Sequence, residues 1–115
     1  MILTEKILWR DLFSAKHYYP DMVKIVVDIE QNIMSAEAEW HSELANELQE
    51  QMESKWDLLW GANLYEEYGE IEYNSLINNK PPSEYHKGNR SSDIQDEEIC
   101  AKVKNVIINW VKDDE

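Results

Sequence analysis

The run Leu58-Leu59-Trp60-Gly61-Ala62-Asn63-Leu64-Tyr65 carries the clearest pattern in the chain. Leu58, Trp60, Ala62 and Leu64 fall on one side and Leu59, Gly61, Asn63 and Tyr65 on the other, the two-residue period of a strand. The acidic segment Glu66-Glu67-Tyr68-Gly69-Glu70 follows, with a glycine free to take a left-handed turn position, so a hairpin is expected. Its second strand is expected from Ile71 to about Asn78. Ile71, Tyr73, Ser75 and Ile77 would point inward, and Glu72, Asn74, Leu76 and Asn78 outward.

Upstream, Met22 to Glu30 is dense in β-branched residues and reads as another strand. Gln31-Asn32 is a plausible two-residue turn. Ile33 to Trp40 would return as a strand, with Met34, Ala36, Ala38 and Trp40 on one face and Glu37 and Glu39 on the other. A helix starting at Ser35 competes with that reading, because Ala36 to Gln51 is rich in Ala, Glu and Leu. From Ser42 to Trp56 the pattern is an amphipathic helix, with Leu44, Leu48 and Met52 as its apolar stripe. A shorter helix is expected near the start, built on Leu8, Leu12 and Phe13 and ended by Tyr18-Tyr19-Pro20. A loop from Asn79 to Ser92 holds Pro81-Pro82 and Gly88. The last helix begins between Ser92 and Asp96 and buries Ile99, Val103, Val106 and Trp110. Asp113-Asp114-Glu115 reads as a short acidic tail.

These elements imply one α+β domain over residues 1–115. It would hold an antiparallel sheet of three to four strands, with N-terminal, central and C-terminal helices packed on one face. The length of 115 residues suits a single core, and 43% hydrophobic content with five Trp argues against disorder.

Composition also bounds function. There are 24 Asp plus Glu against 11 Lys plus Arg, a formal charge of −13. Direct nucleic-acid binding needs the opposite sign, and so does docking on an anionic membrane surface. No apolar stretch is long enough to span a bilayer, and no signal peptide is expected at the N-terminus. The single cysteine fits a cytoplasmic location.

Several pieces join into a family likeness. Val26-Val27-Asp28-Ile29-Glu30, Leu59-Trp60-Gly61-Ala62-Asn63, Ser75-Leu76-Ile77-Asn78, and Asn89-Arg90-Ser91 followed by Ile94-Gln95-Asp96 occur in order. Together they resemble a family of small bacterial proteins of unknown function. The resemblance implies an α+β fold and supplies no activity. That family typically carries Gly-Gly-Glu-Leu-His-Ala-Asp after the first strand pair; here the segment is Glu37-Ala38-Glu39-Trp40-His41-Ser42-Glu43. Its Glu and His match, and its two glycines do not. The family's Asp-Gly-Ser turn is reduced to Ser54, which implies a longer central helix running through Glu53.

Chemistry-bearing patterns are few. HExxH, paired cysteines, a P-loop and a Gly-x-Ser-x-Gly elbow are all missing, so no metal or cofactor is expected. Cys100 lies beside the apolar stripe of the last helix, where packing is its expected role. His41 is the main titratable candidate. Glu39 on a strand, or Glu37 on a helix, would share its face and could orient the imidazole as a catalytic acid–base pair. Arg90, flanked by Asn89, could clamp a carboxylate or phosphate, and Asn63, Asn74 and Asn78 could add ligand-binding amides. The basic cluster Lys80, His86, Lys87 and Arg90 is the exception on an acidic chain.

Three functions remain open. The first is an interaction or regulatory protein with a protein partner or a second copy as a homodimer. The second is a small enzyme or ligand-binding protein using His41 and Arg90. The third is an acidic nucleic-acid mimic built on Glu37, Glu39, Glu43, Glu47 and Glu50. Trp40, Trp60 and Trp110 are expected in the core, whereas Trp9 and Trp56 are candidates for an interface.

Overall fold

The computed structural model describes residues 1–113, so the tail beyond Asp113 lies outside the described residues. Strand β1 (Ile7–Leu8) leads directly into α1 (Trp9–Ser14). Then come β2 (Met22–Asp28), β3 (Ile33–Ala36), α2 (His41–Met52), β4 (Leu59–Tyr65), β5 (Ile71–Glu72), α3 (Glu97–Trp110) and β6 (Val111–Lys112). The main sheet is antiparallel in the order β3-β2-β4-β5, and β1 pairs with β6 in a small parallel ribbon. The α+β class and the four-strand sheet agree with the sequence.

Alternation along β2 and β4 fixes the register. Val23, Ile25, Val27, Trp60, Ala62 and Leu64 face one layer, where α1 and α3 supply Trp9, Leu12, Phe13, Val103, Val106 and Ile107. Val26 and Leu59 face the other layer, where α2 supplies Leu44, Ala45 and Leu48. The helices therefore cover both faces of the sheet, not one as expected. The reason is that Val26 on β2 and Leu59 on β4 put apolar side chains on the second face as well, and these need a cover. Among the described residues no helix is long and apolar enough to cross a membrane.

Three local departures from the sequence reading shape the surface around the start of α2. Strand β3 stops at Ala36, because Glu37 takes a left-handed φ of 69°. This breaks the alternation that would have buried Trp40, which is 58% exposed as the N-cap of α2. Neither a strand to Trp40 nor a helix from Ser35 forms. Conversely Trp9, an interface candidate by sequence, is buried at 2% exposure and donates its indole N–H to the Tyr65 carbonyl at 2.8 Å.

Helix α2 ends at Met52 instead of running through Glu53, which caps it at φ 54°. A side chain in that left-handed conformation is strained by about 1–2 kcal/mol, and glycine is the residue that suits it.

The third departure is at the hairpin. β5 pairs with β4 at only two positions, Asn63↔Glu72 and Leu64↔Ile71. Beyond them the edge of β4 is closed by a side chain. Asn78 Oδ1 accepts the Gly61 N–H at 2.8 Å, and Asn78 Nδ2 donates to the Gly61 carbonyl at 2.9 Å and to the Ser92 carbonyl at 3.1 Å. The amide stands in for a neighbouring strand, and a helical turn at Leu76–Asn78 swings it there. That turn separates two residues expected on one outward face: Leu76 is 85% exposed and Asn78 is fully buried.

Two stability measurements test these contacts. Asn78→Leu leaves both backbone groups of Gly61 unpaired and buried, and the urea midpoint should report a loss of about 2–4 kcal/mol. Glu53→Gly should stabilise by about 0.5–1 kcal/mol, the strain relieved less the extra chain entropy of glycine.

Candidate functional site

Two concavities divide the residues singled out by sequence. The first is a cleft of about 250 Å³ where α2 begins. Trp40, His41 and Ser42 form one wall, Lys24 and Asn63 on adjacent strands form the floor, and Asn74 to Ile77 form the other wall. Its narrowness has a backbone cause. A Cβ added at Gly61 would lie 2.6 Å from Ser75 Cβ and 3.1 Å from His41 Cδ2, so only glycine lets these two walls approach β4.

His41 is the first residue of α2 and is buried against β4. Its Nε2 lies 3.0 Å from the Ala62 carbonyl oxygen. A carbonyl can only accept, so Nε2 carries the hydrogen and Nδ1 keeps its lone pair. Burial lowers its pKa from 6.5 to about 4, and the nearby Lys24 charge acts in the same direction. The Ala62 carbonyl and the Asn63 amide oppose this without restoring the usual value. The imidazole is therefore neutral at physiological pH.

Beside it, Asn63 donates its Nδ2 to Glu72 Oε1 at 3.0 Å and to the Asn74 carbonyl at 3.3 Å. Its Oδ1 is buried and has no partner among the described residues, which is uncommon for a buried amide oxygen. Lys24, the one charged residue lining the cleft, has its pKa lowered by burial, with Glu72 opposing. Its ammonium stands 5.1 Å from the Tyr19 ring centroid and, among the described residues, has no carboxylate within 4 Å.

The second concavity is a wider groove of about 620 Å³ bordered by Lys80, Pro81, Pro82, Lys87, Arg90 and Gln95. The basic cluster read from sequence is split here. Lys87 and Arg90 face solvent, whereas Lys80 is 1% exposed. The Lys80 ammonium donates to the Ile77 carbonyl at 2.8 Å and sits 4.0 Å from the Trp56 ring centroid and 5.3 Å from that of Trp60. Burial lowers its pKa to about 8, against the pull of Asp57. His86 packs edge-on to Trp60 at 5.3 Å and accepts the Gly88 N–H at Nδ1. Lys80 and His86 thus latch the long loop down.

The sequence candidates separate accordingly. His41 and Asn63 share the cleft, together with Asn74. Arg90 lines the other groove, and no lining residue is common to both. Glu39 is exposed, and its backbone carbonyl accepts the Tyr19 hydroxyl. Asn78 and Asn89 are internal connectors: Asn89 Nδ2 reaches the carbonyls of Asn78, Ser91 and Asp93, and its Oδ1 accepts the Gln95 N–H. Lys24 and Leu76 were missed. Lys24 interrupts an otherwise apolar strand, and that interruption was the available signal.

The state of His41 gives a pH prediction. In the unfolded chain it binds a proton below about 6.5, and in the folded protein only near 4, so stability is lost as pH falls through that window. From about pH 7 to pH 5 the loss should be about 2 kcal/mol in urea unfolding. It should be absent from His41→Gln, and the His41 ring carbons should show no NMR titration near pH 6.5.

No curated protein and no solved structure matches the chain. A family model described as a protein of unknown function (DUF5674) matches residues 1–110. Because that match spans nearly the whole sequence, the chain belongs to this family of unknown function.

Proposed function

We propose that this protein is a non-catalytic interaction protein that grips a partner protein in the cleft at the start of α2. One observation carries the reading. The two most exposed large apolar side chains among the described residues, Leu76 and Trp40, stand at the same cleft, over an amide oxygen of Asn63 that is buried and unpaired. Apolar walls around a few fixed polar groups are the usual make-up of a ligand pocket.

Other features favour binding over proton transfer. His41 is oriented by a backbone carbonyl and not by a carboxylate, and Arg90 borders a different concavity. The nucleic-acid mimic finds less support. Glu37 accepts the His17 N–H, Glu43 accepts the Trp40 N–H at 3.0 Å, and Glu47 is tied to Ser35 and to the terminal ammonium. These carboxylates are engaged within the chain instead of forming a free row. The single cysteine suits work in a reducing compartment such as the cytoplasm.

The test is selection of a random peptide library on the folded protein. Trp40→Ala combined with Leu76→Ser should weaken the selected binders at least about tenfold, or about 1.4 kcal/mol. Arg90→Ala should leave them unchanged. Binders that keep full affinity for the double variant would place recognition elsewhere.

A further inference from the structure

We infer that the α2 cleft recognises the C-terminal residue of a partner chain, an apolar side chain carrying a free carboxylate with a peptide N–H beside it. This deepens the reading of the cleft as the interaction surface and rests on it. Charge is the first argument. The protein has 24 acidic residues, yet among the described residues none lines this cleft, and the one charged lining residue is Lys24. A cation with no carboxylate within 4 Å among the described residues, set in a gap on an acidic surface, is complementary to a single negative group.

The second argument is the set of hydrogen-bonding groups. The first turn of a helix leaves backbone N–H groups without helical acceptors. At the start of α2 the Trp40 and Glu43 N–H groups find acceptors, in Glu43 Oε1 and the Trp40 carbonyl. His41 and Ser42, which line the cleft, add the remaining donors and a positive dipole end to it. Across the floor stands the opposite need. Asn63 Oδ1, in a residue only 5% exposed, has no donor among the described residues, because neutral His41 spends its one imidazole hydrogen on the Ala62 carbonyl and leaves Nδ1 as an acceptor. A bare acetate answers the donors and leaves this acceptor unpaired. A terminal peptide unit answers both, with its carboxylate toward Lys24 and its N–H toward Asn63.

Size and rim complete the match. About 250 Å³ is smaller than the roughly 300–1,000 Å³ of sites for drug-sized ligands, and suits one residue. Trp40 and Leu76 supply the apolar contact for that residue's side chain. Backbone capture of a terminal carboxylate is an established way for proteins to read chain ends.

The experiment is an NMR amide titration with three probes. They are acetyl-Gly-Ser-Leu with a free carboxylate, the same peptide as its C-terminal amide, and N-acetyl-leucine. The free acid should bind with shifts confined to the cleft, at least about tenfold tighter than the amide. Lys24→Met should abolish that preference, and Lys24→Arg should retain most of it. Equal affinity for acid and amide, a preference that survives Lys24→Met, or no binding of the acid would overturn the inference. N-acetyl-leucine offers the same side chain, carboxylate and N–H, so it should bind within about tenfold of the tripeptide; binding of the tripeptide without binding of N-acetyl-leucine would overturn the confinement of recognition to one terminal residue. Library binders that depend on Trp40 and Leu76 but not on a free carboxylate would sink this inference alone. Binders indifferent to Trp40 and Leu76 would sink the cleft itself.

Discussion

Everything at the working end of this molecule depends on how the free edge of β4 is closed at Gly61. A strand edge with unpaired N–H and C=O groups must be covered, and here the cover is a primary amide. Asn78 bonds both backbone groups of Gly61, and the missing Cβ lets Ser75 and His41 close in from two sides. The same contact positions Leu76 outward, brings α2 onto the strand through the Ala62 carbonyl, and holds Asn63 on the floor between them. A conventional second strand in this place would fill the edge and leave no cleft.

The sheet was legible because its signals are local. Two-residue alternation in Leu59–Tyr65 and the β-branched run Met22–Asp28 set both register and layer, and the structure keeps them. What escaped was set by tertiary contact or by single backbone angles. Nothing in the string Ser35-Ala36-Glu37 announces that a glutamate will take φ 69°, and that one angle turns Trp40 from the core to the surface. Likewise Lys80 reads as a solvent cation until Trp56 and Trp60, distant in sequence, are folded around its ammonium. By sequence, Asn63, Asn78 and Asn89 are all candidate ligand-binding amides. The structure separates the two that are spent on connecting loops, Asn78 and Asn89, from Asn63, which keeps an oxygen unpaired.

The strongly acidic composition takes on a definite meaning in this setting. Spread over helix faces and loops, the carboxylates leave the protein with a formal charge of −13. They also make a cleft that no carboxylate lines among the described residues electrostatically distinct. Within this family of unknown function, α2, Lys24 and Asn63 are the positions of first interest, ahead of the more conspicuous basic loop. Lys87 and Arg90 remain exposed there, but the groove beneath them is floored by a latch whose polar groups serve the fold.

One measurement separates these two sites directly. With 5-fluorotryptophan at all five Trp positions, Trp40 reports the cleft and Trp56, packed on the Lys80 ammonium at the border of the basic groove, reports that groove in a single fluorine spectrum. Titration with a peptide ending in a free apolar carboxylate should move the Trp40 resonance saturably and leave Trp56 in place. A saturable shift of Trp56 with Trp40 unmoved would contradict the placement of recognition at the α2 cleft.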